Sequence, residues 1–307
     1  MGLNLPDGFK ERYAGLTDWH KFENVLGMQI RKSIRANTLK ISASELLKRL
    51  EHEWKLTPVP WIEEGFFIEH RKKERIDFGN IPEHNEGLFY IQEAASMLPA
   101  LALNPKPGES VLDMCAAPGS KTTQIAAMMK NTGKIVASDV RDDRIAILTR
   151  NIARTGVTNC EVVKKSGQQF KDVTFDKVLV DAPCSGTGTM RMQEEIDKWN
   201  PAIFERLAFE QKSLLHSAYC VLKKGGVMVY ATCSLEPEEN EMVIDWLLKR
   251  HKKTELEEIK LKNLNRSEPV PEYKGNKLDP RIKKCLRIWP QDNDTSGFFV
   301  AKIRKKR

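Results

Sequence analysis

Short apolar runs alternate with longer amphipathic segments through the middle of the chain. Each run is too short for a helix and stops at small, acidic or turn-forming residues, as buried strands do. One amphipathic segment, 143–155, places Ile145, Leu148 and Ile152 on one helical face and ends before Gly156. The alternation predicts an α/β fold with a doubly wound, mostly parallel sheet. Its five strands are expected at 110–113, 134–139, 160–163 and 177–181 and in the run that ends at 233.

The first 80 residues have a different pattern, in which helical and strand periods are mixed. We expect helices over 18–30 and 42–53 and strands over 34–41 and 65–69. Trp54 and Trp61 are expected in the core of this segment or at its rim. The pattern predicts a small N-terminal α/β module, and we divide the chain into domains at 1–85 and 86–307.

Charge is concentrated near the C-terminus. The 307 residues carry a formal net charge of +8, and residues 249–307 hold 18 Lys or Arg against 8 Asp or Glu, an excess of +10. Such a basic balance favours a polyanionic partner, above all a nucleic acid. The five terminal basic residues are expected either to contact phosphates or to form a frayed, solvated tail; they are Lys302, Arg304, Lys305, Lys306 and Arg307.

The cysteines and the absence of long apolar runs indicate the compartment. No stretch approaches 18 consecutive apolar residues, and no apolar leader begins the sequence, so we expect a cytoplasmic, reduced protein. Neither the cysteine nor the histidine spacing suits a zinc site, and we expect no metal. We also expect a monomer. Cys115, Cys160, Cys220 and Cys285 are interpreted as buried small hydrophobes.

Cys184 and Cys233 are the two exceptions among the cysteines. Each follows a short apolar run that predicts a buried strand, and each lies among small and turn-forming residues. Ligands of an open α/β sheet bind beyond the carboxyl ends of its strands. The sequence therefore predicts that both thiols reach this edge and meet over one substrate.

A nucleoside-containing cofactor is indicated by the first strand–loop–helix unit. Its loop lacks the G-x-G-x-x-G pattern of dinucleotide sites, which favours S-adenosylmethionine. Asp139 ends the second strand, 20 residues after Gly119, where a ribose-binding acid is expected. The alternative is that Asp139 only caps the next helix. Pro118 is expected to open the first turn of the helix after the loop.

Three segments carry a resemblance to a known family. Residues 112–122, 179–188 and 230–240 resemble the signature segments of the RsmB/Nop family of RNA cytosine-5 methyltransferases, in the same order and at similar intervals. Weaker similarity extends to 34–39, 92–96 and 295–302, so the resemblance covers most of the chain from about residue 30. It implies a Rossmann-like class I methyltransferase with an N-terminal RNA-binding module.

The resemblance also implies catalytic roles. Cys233 is expected to be the nucleophile that adds to carbon 6 of cytosine, and Cys184 to assist release of the methylated base. Asp181 is expected beside N3 and the exocyclic amine, with Lys121 close to it and lowering the pKa of the thiol.

Cofactor contacts carry over in the same way. Ser166 stands where many relatives have an Asp for the adenine amine, and a neutral hydroxyl gives a weaker contact than a carboxylate. The residues expected to bind S-adenosylmethionine are Cys115, Ala116, Ala117, Pro118, Gly119, Ser120, Lys121, Asp139, Arg144, Ser166 and Asp181.

Several functions remain open at this point. Retention of both cysteines with Asp181 and Lys121 favours an active RNA methyltransferase over a non-catalytic RNA-binding or ribosome-assembly factor on the same fold. A small-molecule methyltransferase would not account for the basic C-terminal segment. The compact chain favours tRNA over rRNA as substrate, and DNA is disfavoured only by the resemblance. The N-terminal module is expected to bind RNA, the alternative being a packing cap with no RNA contact.

Overall fold

The computed structural model describes residues 3–72 and 77–307. In the N-terminal part it forms α1 Phe9–Ala14, α2 Trp19–Glu23, β1 Ser33–Ala36, α3 Ala43–Leu50, β2 Trp54–Pro58, β3 Gly65–His70, α4 Pro82–Asn85 and β4 Phe89–Ile91. The remainder forms α5 Leu98–Leu103, β5 Ser110–Asp113, α6 Ser120–Met128, β6 Lys134–Asp139, α7 Asp142–Thr155, β7 Cys160–Lys164, β8 Phe175–Asp181, α8 Gln193–Ile196, α9 Phe204–Val221, β9 Leu222–Thr232, α10 Glu241–Arg250, β10 Thr254–Glu257, β11 Glu272–Tyr273, β12 Asn276–Lys277, β13 Leu286–Ile288, α11 Pro290–Asn293 and β14 Phe298–Lys305.

The central sheet has the strand order β10-β14-β9-β8-β5-β6-β7, with β13 paired to β14. Within the order β9-β8-β5-β6-β7, every strand is parallel to the strands beside it. Strand β14, in contrast, runs antiparallel to β9. From β5 the chain first winds outward to β7 and then returns to β8 on the other side of β5. This reversal makes the carboxyl ends of β5 and β8 the topological switch point, where ligands of such sheets bind.

Two apolar layers cover the faces of this sheet. Along β8, Leu179 packs with helices α5, α6 and α7, whereas Val178 and Val180 pack with α9 and α10. This alternation follows from the two-residue period of a strand and leaves both faces buried. The predicted doubly wound, mostly parallel sheet is therefore confirmed.

The N-terminal sheet is antiparallel, with the order β2-β3-β1-β4. The strand predicted over 34–41 is shorter, because Asn37 turns the chain away and its amide donates to the carbonyls of Gly87 and Thr155. Helix α3 begins at a capping box between Ser42 and Glu45. Trp54 and Trp61 are buried, as expected.

The first two helices pack against loops and short helices beside the central sheet. Phe9, Tyr13 and Phe22 contact an apolar cluster that includes Trp289. The helix predicted over 18–30 ends at Glu23, because the following residues turn back onto that cluster and Gly27, at φ 82°, donates its N–H to the carbonyl of Arg191. The division of the chain at residue 85 stays a prediction.

The basic C-terminus is an ordered strand up to Lys305, so a frayed tail is wrong for that residue. Its ammonium donates to the carbonyls of Tyr219 and Leu222 at the end of α9, 2.8 Å from each oxygen. Because β14 is antiparallel to β9, Arg304 lies opposite Val227, at the end of the sheet away from the switch point. No helix of the described residues is long and apolar enough to cross a membrane.

Candidate active site

The two thiols lie side by side. Strands β8 and β9 are parallel neighbours with Asp181 opposite Ala231, so the loops that follow them leave the sheet together. The sulfur atoms of Cys184 and Cys233 are 3.4 Å apart. The structure thus brings together the two cysteines that the sequence singled out. Of the other four, Cys285 is buried and Cys115 and Cys160 are partly buried.

The prediction that Cys220 is buried is wrong. Cys220 lies on the exposed side of α9, because the buried positions of that helix fall beside it in the helical repeat. This thiol is on a helix and not at the switch point.

The carboxylate of Glu239 connects the two loops that carry the cysteines. Its buried carboxylate accepts hydrogen bonds from the main-chain N–H of Ser185 at 3.0 Å and the hydroxyl of Ser234 at 2.7 Å, and also from the Ser185 hydroxyl. The amide of Gln211 donates to the same carboxylate at 2.8 Å and to the carbonyl of Pro183. The residue that directly follows each cysteine is therefore hydrogen-bonded to the same Glu239 carboxylate.

The protonation of the two thiols differs. The hydrogen bond between the sulfurs lowers the pKa of Cys233, and the Lys121 ammonium lowers it further, against the opposing effects of burial and Asp181. The same hydrogen bond and burial raise the pKa of Cys184 well above its usual value. These directions favour ionisation of Cys233 over Cys184.

Lys121 and Asp181 form an ion pair beside the thiols. Lys121 lies in the first turn of α6, and its Nζ is 2.7 Å from Oδ2 of Asp181 and 2.9 Å from the hydroxyl of Ser96. Burial lowers the pKa of Lys121, but the attraction of Asp181 outweighs it and the pKa is raised. The Lys121 side chain is 9% exposed and that of Asp181 28%, so the carboxylate is the more accessible of the two.

The loop between β5 and α6 provides a concave wall next to this pair. Gly119 is the N-cap of α6 at φ 103°, where a Cβ atom would approach Leu148 to 2.9 Å. Pro118 precedes the cap in a cis peptide with Ala117, so the prediction that Pro118 opens the helical turn is wrong. Arg144 donates to the carbonyl of Ala117 and fixes the loop from α7.

The two carboxylate oxygens of Asp139 have different surroundings. Its Oδ1 caps the next turn by accepting from the N–H groups of Val140 and Arg141 at 2.8 and 3.2 Å. Its Oδ2 is buried and accepts no hydrogen bond from the described residues, although Nη1 of Arg144 lies 3.4 Å away. A buried carboxylate oxygen without a donor fits a ligand hydroxyl. S-adenosylmethionine has ribose hydroxyls of this kind.

Ser166 and Val140 lie at the same edge of the sheet. Ser166 follows β7 and its hydroxyl accepts from the N–H of Gln168, so it caps the turn over 167–169. Val140 is 57% exposed next to Asp139. Sequence reasoning missed Val140, and the signal for it was an apolar residue directly after the predicted ribose-binding acid.

Fold and site together define an S-adenosylmethionine-dependent methyltransferase of Rossmann-like architecture. Residues 100–304 match the family model for the 16S rRNA methyltransferase RsmB/F, and residues 5–94 match that for the N-terminal domain of 16S rRNA methyltransferase RsmF. The chain belongs to the RsmB/F methyltransferase family, and the resemblance found in the sequence is confirmed.

Two relatives differ in how much of their length the chain covers. It is 45% identical over 301 residues to the tRNA (cytosine(49)-C(5))-methyltransferase of Pyrococcus abyssi. This alignment covers 97% of the present chain and 95% of the relative. The chain is 43% identical over 284 residues to the ribosomal RNA small subunit methyltransferase F of Klebsiella pneumoniae, but spans only 57% of that protein.

Two solved structures share the fold over nearly the whole chain. A methyltransferase homolog protein from Pyrococcus horikoshii is 40% identical with a TM-score of 0.83, covering 94% of this chain and 90% of the other. NSun6 from Pyrococcus horikoshii with SFG, an S-adenosylmethionine analogue, is 25% identical with a TM-score of 0.84 and 98% coverage of both chains. The cofactor of the present chain is accordingly S-adenosylmethionine.

Proposed function

We propose that the chain transfers a methyl group to carbon 5 of a cytosine in tRNA. The observation that carries the proposal is the pair of thiols 3.4 Å apart beside the Lys121–Asp181 ion pair. A methyl transfer to oxygen or nitrogen does not require two thiols with pKa values shifted in opposite directions. Methyl transfer to carbon 5 of cytosine does require two thiols, because the base must first be activated by addition at carbon 6 and then released.

Cys233 is proposed as the nucleophile. Its thiolate forms a bond to carbon 6, and the electron pair of the 5,6 double bond moves to carbon 5. Bound S-adenosylmethionine supplies the methyl group that carbon 5 accepts. The proton on carbon 5 then passes to solvent water, the C–H electron pair re-forms the 5,6 double bond, and the sulfur of Cys233 departs as thiolate. Cys184 is proposed to assist this release from its position 3.4 Å away.

Asp181 and Lys121 are proposed to bind the base during the addition. The partly exposed carboxyl group of Asp181 suits the N3 and exocyclic amine side of cytosine, where it shares a proton with N3 and so stabilises the negative charge that develops in the adduct. Lys121 holds Asp181 in place and favours the thiolate of Cys233.

The cofactor is proposed to lie along the switch point. Oδ2 of Asp139 accepts from the ribose hydroxyls, Val140 packs on the adenine, and Ser166 contributes one hydrogen bond at its edge. The loop residues Cys115, Ala116, Ala117, Pro118, Gly119 and Ser120, with Lys121, Arg144 and Asp181, are proposed to surround the methionine part.

The choice of tRNA rests on the Pyrococcus abyssi relative, which is named for tRNA and is 45% identical to this chain over 301 residues. A small-subunit rRNA is the second candidate, favoured by the names of both family models. We further propose a cytoplasmic monomer that uses no metal and whose N-terminal module, residues 1–85, contacts the RNA.

The test is methylation of defined RNAs. Purified protein, S-adenosylmethionine and either total tRNA or small-subunit rRNA are incubated, and new 5-methylcytosine is located by bisulfite sequencing. We expect one protected cytosine in tRNA and none in rRNA. Protection in rRNA alone would assign the second candidate, and no protection in either would refute cytosine-5 methylation of these RNAs.

A further inference from the structure

A cavity of about 330 Å³ lies between the small N-terminal sheet and the catalytic domain. Its walls come from edge strand β4, helix α7, the loop before α6 and the segment before α5. Residues that carry the argument are Tyr90, Ile91, Gln92, Ser96, Asn151 and Arg154. None of these residues was assigned to the cofactor or to the thiols.

The cavity adjoins the position proposed for the target cytosine. Ser96 lines it and also accepts a hydrogen bond from Nζ of Lys121 at 2.9 Å. Lys121 in turn lies 2.7 Å from Asp181. Two short contacts therefore connect the cavity wall to the carboxylate that is proposed to hold the base.

Two buried polar atoms in the walls have no hydrogen-bond partner among the described residues. Gln92 is 3% exposed, and its amide nitrogen donates to the carbonyl of Ser96 and to Gln124, but its Oε1 accepts nothing. Nδ1 of His84 is also unpaired. A buried polar atom without a partner destabilises the folded protein unless a ligand pairs with it. An unpaired acceptor in the wall suits a ligand that donates hydrogen bonds.

One arginine, Arg154, and one acid, Glu93, line the cavity. Arg154 donates to the carbonyls of His84 and Phe89 and to Asn151, and no acid of the described residues lies within ion-pair distance of it. Glu93 accepts from the N–H groups of Ser96 and Ser296 on its own side of the cavity. An arginine without an acidic partner favours a phosphate group.

We propose that this cavity binds the nucleotide next to the target cytosine in the RNA chain. The base lies on Ile91, which is 38% exposed, and its donor groups reach Oε1 of Gln92, while its phosphate faces Arg154. Proteins that recognise single-stranded RNA bind splayed bases one at a time in this manner. The proposal rests on the proposed function and adds a second base-binding position to it.

The test combines a protein variant with a modified RNA. Ile91→Glu places a negative charge where the base lies, and Val173→Glu, at a residue 44% exposed in the loop before β8 and outside the cavity, is the matched control. The RNA is a hairpin with the methylated cytosine, either intact or with an abasic ribose at the 5′ or the 3′ neighbour. Fluorescence anisotropy gives the dissociation constant of each pair, and calorimetry gives that of S-adenosylmethionine.

We expect Ile91→Glu to weaken binding of intact RNA by about 10-fold, as loss of one stacked base does. The abasic RNA should bind wild type and Val173→Glu about 10-fold more weakly at one of the two positions. Ile91→Glu should lose nothing further at that position, because the interaction is already absent. Cofactor affinity should be the same for all three proteins, which shows that they are folded.

Two results would overturn the inference. One is that Ile91→Glu loses as much affinity as wild type when the neighbouring nucleotide is abasic, so that the two losses add. The base would then lie elsewhere. The other is Ile91→Glu with the RNA affinity of Val173→Glu. If wild type methylates the hairpin in the same experiment, the proposed function stands while the subsite fails. If wild type transfers no methyl group to any RNA, the proposed function itself fails.

Discussion

The carboxylate of Asp139 offers a quantitative test of the cofactor site. Asp139→Asn keeps an oxygen at Oδ1, which accepts from Val140 and Arg141, and replaces Oδ2, which accepts no hydrogen bond from the described residues and lies 3.4 Å from Arg144, by a neutral amide. A hydrogen bond to a charged group contributes about 1.5 to 3 kcal/mol, and a neutral one roughly half. For two ribose hydroxyls the loss is about 1.5 to 3 kcal/mol. This corresponds to about a 10- to 150-fold weaker S-adenosylmethionine complex.

Isothermal titration calorimetry measures this change directly. Asp142→Asn is the control, because Asp142 is exposed and pairs only with Lys164 at the surface. RNA affinity should be the same in both variants. An unchanged cofactor affinity in folded Asp139→Asn protein would show that Asp139 only holds the turn before α7, a local role like the alternative interpretation from the sequence.

Three further changes have predicted outcomes. Lys121→Met should raise the pKa of Cys233 and move the acid limb of the pH–rate profile upward; an unmoved limb would remove Lys121 from thiolate stabilisation. Burial raises the pKa of Asp113 to about 7 from 3.8, so its contribution to stability is lost as pH rises from about 4 to 7. The free energy of unfolding of Asp113→Asn, measured with urea, should lack that loss over the same pH range. A parallel decline of the free energy of unfolding in both proteins would contradict the prediction. Replacing Lys306 and Arg307 by Gln should lower the salt slope of RNA binding by roughly 1 per lost phosphate contact without changing the methylated position; an unaltered slope would make both residues solvated surface.

The central sheet and the meeting of the thiols could be predicted from the sequence. Strand positions follow from short apolar runs, and parallel strands deliver their carboxyl ends to one edge. For that reason Cys184 and Cys233 could be expected together although 49 positions separate them. The paired protonation of the sulfurs, by contrast, depends on a distance that no pattern encodes.

Long-range polar contacts could not be predicted. Glu239 belongs to the segment 230–240 that carried the family resemblance, but only the structure shows that it joins Ser185 to Ser234. The spacing of a sequence says nothing about which buried acid faces which donor. The same holds for the unpaired Oε1 of Gln92, which becomes visible only when the walls around it are placed.

The prediction of a helix over 18–30 failed for a related reason. Apolar residues in that segment have helical spacing, but Val25 and Leu26 serve a cluster formed with the catalytic domain. Tertiary contact there outweighs local propensity, and the N–H of Gly27 pairs with Arg191 instead of continuing the helix.

The division of labour between the two thiols is the central claim, and trapping of the covalent intermediate tests it most directly. Wild type, Cys184→Ala and Cys233→Ala are incubated with substrate RNA and S-adenosylmethionine and analysed on a denaturing gel. Because attack by Cys233 precedes release assisted by Cys184, Cys184→Ala should retain a protein–RNA band that Cys233→Ala lacks. A band with Cys233→Ala alone, or normal methylation by that variant, would contradict the account.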